Sequence, residues 1–100
     1  MGTLTSAQRK WLRGMSHTLR PVVQIGKNGL TEAVLAQIDE ALELHELIKV
    51  QAAAPKDEKR EMAERIESEL QAELAGLVGH VLILYRQNPD PELQTLDLPD

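Results

Sequence analysis

Four residues, Gly26-Lys27-Asn28-Gly29, hold the densest chemistry of this 100-residue chain. Glycines at both ends let the backbone turn tightly and let another molecule come close, because no Cβ stands in the way. Lys27 places a point charge between them, and Asn28 tolerates the left-handed conformation or donates to a phosphate oxygen. Thr31 then reads as the N-cap of a helix whose free N–H groups point back at the same place. The chemistry this implies is the holding of an anion, phosphate above all. Taken alone, the four residues suit an ordinary strand-to-helix turn better than a ligand site, since Gly and Asn are turn formers.

The surrounding charge bears on that choice. Up to Thr31 the chain carries five bases, Arg9, Lys10, Arg13, Arg20 and Lys27, and no acid. All 16 acids and the other six bases follow, for a net charge of −5. A negative molecule does not bind nucleic acid indiscriminately, but segregated charge leaves room for one basic face. Arg9, Lys10, Arg13 and Arg20 would extend a phosphate-binding surface beside the turn, or else form a solvated helix face. Lys49, inside a strand, faces either solvent or ligand. Arg86, closing the last strand, reaches an anion or pairs with an acid, and the sequence leaves both open.

Other chemistries are poorly supplied. Without cysteine there is no disulfide, thiol nucleophile or zinc ribbon. His17, His45 and His80 share no metal-ligand spacing, and His45 reads as a cap at a helix end. No nucleophile, histidine and acid set is signalled, so no enzyme, cofactor, metal or small-molecule substrate is expected. Trp11 and Tyr85 are the only aromatics. An RRM, which stacks bases on sheet aromatics, is thereby excluded, and Trp11 reads as a partly buried anchor. No signal peptide or membrane-length apolar run is visible, so a cytoplasmic protein away from membranes is expected. The match of residues 1–6 to a myristoylation pattern is loose and reads as chance.

Local patterns set the elements that must position the turn. Thr5 and Gln8 form a capping box with Leu4 as staple, opening a first helix that Gly14 and Pro21 end. Leu4, Trp11, Leu12 and Met15 can share its apolar face. Val22, Val23 and Ile25 make a short buried strand. A second helix from Thr31 repeats Val34, Leu35, Ile38, Ala41 and Leu42 at helical spacing. In the strand that follows, Ile48 and Val50 oppose Lys49 and Gln51. A third helix opens at Pro55, with a stripe of Met62 or Ala63, Ile66, Leu70 and Leu74 and an outer Glu61–Arg65 pair. Residues 76–78 and 81–85 form two strands joined at Gly79-His80. The order α-β-α-β-α-β-β makes an α/β or α+β layer fold. Residues 1–87 are one domain, and residues 88–100 read as an acidic, mobile tail.

These segments resemble the CRM domain (chloroplast RNA splicing and ribosome maturation) in its small single-domain bacterial YhbY-type form. The resemblance rests on His17-Thr18-Leu19-Arg20-Pro21-Val22-Val23, on Ile25-Gly26-Lys27-Asn28-Gly29-Leu30-Thr31, on Ala41-Leu42 with His45-Glu46-Leu47-Ile48-Lys49-Val50, and on Leu84-Tyr85-Arg86. It implies a four-stranded mixed sheet with helices, similar to the C-terminal domain of translation initiation factor three. It also implies RNA binding through the G-x-x-G loop, and association with large-subunit ribosomal RNA or its precursor particle during assembly. Separately, a monomer is expected. Two positions depart from the family: His80 stands where a lysine is common, and Gln51-Ala52-Ala53 is less basic than usual. The RNA-contacting set so expected is Gly26, Lys27, Asn28, Gly29, Thr31, Arg9, Lys10, Arg13, Arg20, Lys49 and Arg86. The alternative is a protein-interaction module whose acidic third helix and tail bind a basic ribosomal protein. A nucleotide-using enzyme is a remote third reading.

Overall fold

Local signals dictate most of the elements, and the computed structural model, which describes residues 4–100, forms them in the expected order. Residues 1–3, where the myristoylation match begins, lie outside the described residues. Helix α1, Ser6–Met15, starts on the expected capping box: Thr5 Oγ1 accepts from Gln8 N at 3.1 Å and Gln8 Oε1 accepts from Thr5 N at 3.0 Å. The helix does not stop at Gly14; it runs to Met15 and tightens into a 3-10 turn at Ser16–Thr18. Glycine weakens a helix by about 1 kcal/mol relative to alanine without breaking it. Met15 also leaves the apolar face, being exposed where Leu4 and Leu12 are buried.

Strand β1 is Pro21–Ile25, helix α2 Glu32–His45, strand β2 Leu47–Ala52 and helix α3 Lys56–Leu70. Strands β3, Glu73–Val78, and β4, Val81–Tyr85, complete the sheet, and a second 3-10 turn spans Pro91–Leu93. Strand β3 begins three residues before the expected position, so Leu74 belongs to the sheet rather than to the α3 stripe. Helix α3 has already ended at Gln71, in the left-handed region at φ 56°. The expected Glu61–Arg65 pair is not made either. Arg65 pairs one turn onward with Glu69, and its Nη1 donates to the Leu30 carbonyl at 2.8 Å.

The sheet order is β1-β2-β4-β3. Strands β1 and β2 are parallel, which requires the α2 crossover, and the other pairings are antiparallel. The register of β1 is broken by an irregularity between Pro21 and Val23. Helices α2 and α3 cover one face, burying Leu35, Ile38, Leu42, Ala63 and Ile66 against Ile48, Val50, Leu82 and Leu84. Helix α1 packs on the other face, where Leu4 and Leu12 meet Leu47, Ala75, Ile83 and Tyr85. The alternation of β2 is as read: Ile48 and Val50 are buried under the helices, while Lys49 and Gln51 turn to the α1 side.

Where composition suggests a mobile tail, the structure lays residues 87–100 against the domain. Leu96 and Leu98 join the α1-side cluster, and Gln8 Nε2 donates to the Pro99 carbonyl at 2.9 Å. Glu46, 1% exposed, is the anchor. Its Oε2 accepts from Asn88 N at 2.6 Å, and its Oε1 accepts from Thr95 N at 2.6 Å and from the Thr95 hydroxyl at 3.0 Å. Burial raises the Glu46 pKa, but the bonds from Asn88, Thr95 and Leu96 outweigh it and hold the carboxyl below its ordinary value. The residue has φ 62°, strain that persists because both sides of it are fixed. No helix among the described residues is long and apolar enough to cross a membrane.

Candidate nucleic-acid interface

Parallel pairing brings the C-terminal ends of β1 and β2 to one end of the sheet, where Ile25 stands beside Ala52. Ala52 N in turn donates to the His80 carbonyl at 2.7 Å. Three connections therefore meet there: the Gly26–Gly29 turn, the segment after Ala52, and the β3–β4 hairpin turn. The first is closed by Gly29 N donating to the Gly26 carbonyl at 3.0 Å, and Thr31 N donates to the Gly29 carbonyl at 3.1 Å. Gly29 has φ +72°, a conformation that favours glycine. Thr31 caps α2 as expected, its Oγ1 accepting from Val34 N at 3.2 Å. The first N–H groups of α2 thus face the loop, with Glu32 in that turn opposing an anion.

Gly26 is the position the fold itself does not explain. Its φ is not positive, and a Cβ built there would have no protein atom within 4 Å beyond its own chain neighbours. Gly26, Lys27 and Asn28 are all exposed. A bare backbone beside an unpaired ammonium, at an open end of the sheet, is the geometry a phosphate chain needs to come close.

The other expected residues divide. Lys10 and Lys49 lie on the α1 side of the sheet, one on the helix and one on β2, and line a common groove with His17. Among the described residues, neither they nor Lys27 nor Arg20 forms an ion pair. Arg20 stands at the opposite end of β1 from the loop, beside an apolar groove with Leu19 and Val22. Arg9 and Arg13 reach across β3 instead: Arg9 Nε donates to the Leu74 carbonyl at 3.4 Å and Arg13 Nη1 to the Ala75 carbonyl at 2.9 Å. Arg13 passes so closely over Gly76 that a Cβ there would lie 2.5 Å from its Cδ.

Arg86 is not brought to the loop. It follows β4 at the far end of the sheet, where Tyr85 pairs with Leu47. There its Nη1 contacts Asp39 Oδ1 at 2.7 Å and the Leu70 carbonyl at 3.0 Å, and its Nη2 meets Glu43 Oε2 at 3.3 Å. Of the two outcomes the sequence left open, pairing with acids is the one formed.

One residue of the loop end escaped sequence reasoning. Lys59 looks like part of a solvated helix face, yet it is 6% exposed. Its Nζ donates to the Gly79 carbonyl at 2.7 Å and lies 3.3 Å from His80 Nδ1, pinning the hairpin turn to α3. The available signal was spacing, since Lys59 sits four residues before Ala63 and seven before Ile66 on the buried stripe. Among the described residues, neither the half-buried Trp11 nor Tyr85 offers an exposed ring at the loop. Tyr85 is buried with its hydroxyl unpartnered, and burial first, then the charges of Glu46 and Glu73, push its pKa up to about 12.

Comparison with known proteins follows this geometry. The sequence matches the CRS1 / YhbY (CRM) domain over residues 4–86. A Haemophilus influenzae protein named as RNA-binding is 44% identical over 95 residues, covering 94% of this chain and 96% of its own length. A Bacillus subtilis protein, YqeI, named as a probable RNA-binding protein, is 34% identical over 97 residues, covering 96% and 99%. The solution structure of a hypothetical Staphylococcus aureus protein, for which RNA binding has been proposed, aligns with a TM-score of 0.82 at 36% identity. That alignment covers 97% of this chain and all of the other.

Proposed function

The chain belongs to the CRS1 / YhbY (CRM) domain family, and from that premise we propose that it binds RNA by its backbone, through the Gly26–Gly29 loop. The names of its relatives point to RNA binding rather than to an enzyme. One observation carries the loop assignment: Gly26 is bare toward solvent with nothing in the fold requiring it. Lys27 supplies charge, the start of α2 supplies N–H donors, and Lys10 and Lys49 widen the cationic surface. Phosphate contacts position without reading bases, so the loop selects RNA shape and strand state rather than sequence.

The RNA we assign is that of the large ribosomal subunit or its precursor, bound during assembly in the cytoplasm by a monomer. Support for this comes from the family resemblance. The rival protein-interaction reading takes the acidic third helix and the tail as its surface, and the backbone of that tail is engaged here by Glu46. Filter binding to large-subunit ribosomal RNA transcripts tests the proposal. Lys27→Glu should weaken binding at least tenfold with an unchanged melting temperature, because Lys27 is exposed and forms no ion pair among the described residues. Equal affinity of the two proteins would overturn it.

A further inference from the structure

Helix α1 does not cover the whole of its sheet face. Beside its last turns an open groove of about 480 Å³ remains, walled by Lys10 and Gly14 of α1 and by His17 of the 3-10 turn. Lys49 lines it from β2, and Val78, Val81 and Ile83 give it an apolar floor on the α1 side of the sheet. Nothing in the fold covers the floor at Val78, which is 59% exposed. Gly14 keeps the groove wide. Beyond its own helix backbone and chain neighbours, a Cβ there would meet no atom within 4 Å, so helix propensity is sacrificed without any packing return.

One strip of the sheet separates the groove from the loop end. Gln24 and Gln51 are paired, both exposed, on the strip between them, and Gln51 is registered with Val81. At the rise of a strand, the distance from Ala52 to Lys49 is roughly 10 Å. Apolar side chains, an imidazole and two ammonium groups, beside an Arg13 already engaged by the Ala75 carbonyl, supply the parts one nucleotide needs: a surface for a flat base and cations for its phosphates. We propose that this groove receives an unpaired base of the RNA strand held at the loop, laid on Val78 and Val81 against His17, with its flanking phosphates at Lys10 and Lys49.

This rests on the RNA-binding reading above and adds a consequence. Bases within a duplex are stacked inward and cannot enter, so the full surface engages only single-stranded RNA. The test is filter binding to a single strand and to a duplex of the same sequence, using Gly14→Leu and His17→Ala. Gly14→Leu puts a side chain into the groove at an exposed helical position with open space, so the fold should tolerate it. Each variant should bind the single strand about tenfold more weakly while duplex binding is unchanged. Wild-type affinity of both variants for the single strand would overturn the groove while leaving the loop intact, as would equal losses on both RNAs. If wild type and Lys27→Glu bind neither RNA differently, the loop reading fails and the groove falls with it.

Discussion

Replacing Gly26 by alanine separates what the fold needs from what a ligand needs. The added methyl meets no protein atom within 4 Å beyond its own chain neighbours, and the backbone there is not in the left-handed region. Stability should therefore rise by about 0.4–1 kcal/mol, because alanine has less unfolded-state freedom to lose. For a domain of this length that is a melting-temperature gain of about 2–6 °C. The methyl would, however, stand between the loop backbone and an approaching phosphate. Losing one hydrogen bond to a charged group costs about 1.5–3 kcal/mol, a roughly 10- to 150-fold fall in affinity. Thermal unfolding followed by circular dichroism, with filter binding on the same preparations, measures both. Gly29→Ala is the control: at φ +72° an alanine is strained by about 1–2 kcal/mol, so it should destabilise the fold. A Gly26→Ala protein that melts higher yet binds RNA as the wild type does would refute the close-approach argument. One that melts well below wild type would refute the structural account of Gly26.

Other variants probe the rest of the molecule. Glu46→Gln should cost about 2–3 kcal/mol at pH 7, since buried backbone donors lose a charged acceptor. The Glu46 pKa is lowered on folding, so its contribution is present above its ordinary value of 4.5 and fades as pH falls through the lower folded value. The melting-temperature gap between wild type and variant should thus narrow below about pH 4.5, and a gap constant from pH 7 to pH 3 would contradict the clamp. Arg86→Ala should lower stability by about 1–2 kcal/mol, mainly through the lost Leu70 carbonyl bond, because Asp39 and Glu43 are largely solvated. In the same variant, RNA affinity measured by filter binding should stay within about twofold of wild type, since a charge that far from the contact surface is screened.

Features encoded by neighbours in sequence were legible in advance. The Thr5–Gln8 box, the Thr31 cap, the alternation of Ile48 and Val50 with Lys49 and Gln51, and the Gly79-His80 hairpin turn each depend on a few adjacent residues. What stayed hidden depends on partners far along the chain. Arg86 finds Asp39 and Glu43 only when α2 lies beside the end of β4. Glu46 holds Asn88 and Thr95 through a backbone conformation rare for glutamate, so polar composition read as a loose tail. Lys59 drew no reading from the sequence, although its position on the stripe buries it under the hairpin. At the candidate site the loop itself was legible and the sorting of its basic neighbours was not. That sorting depends on which carbonyls α1 happens to cross.

Those crossed carbonyls have a consequence for the protein's behaviour in concentrated solution. Strand β3 is an outer strand of the sheet, with backbone groups that would otherwise invite another chain to pair. Here Glu67 accepts from Leu74 N at 3.0 Å, while Arg9 and Arg13 occupy the carbonyls of Leu74 and Ala75. At the other margin β1 begins with a proline and carries a register break, which blunts strand addition there. Two of the five basic residues in the acid-free segment thus occupy carbonyls at Leu74 and Ala75, leaving less of that edge free for another chain to pair with.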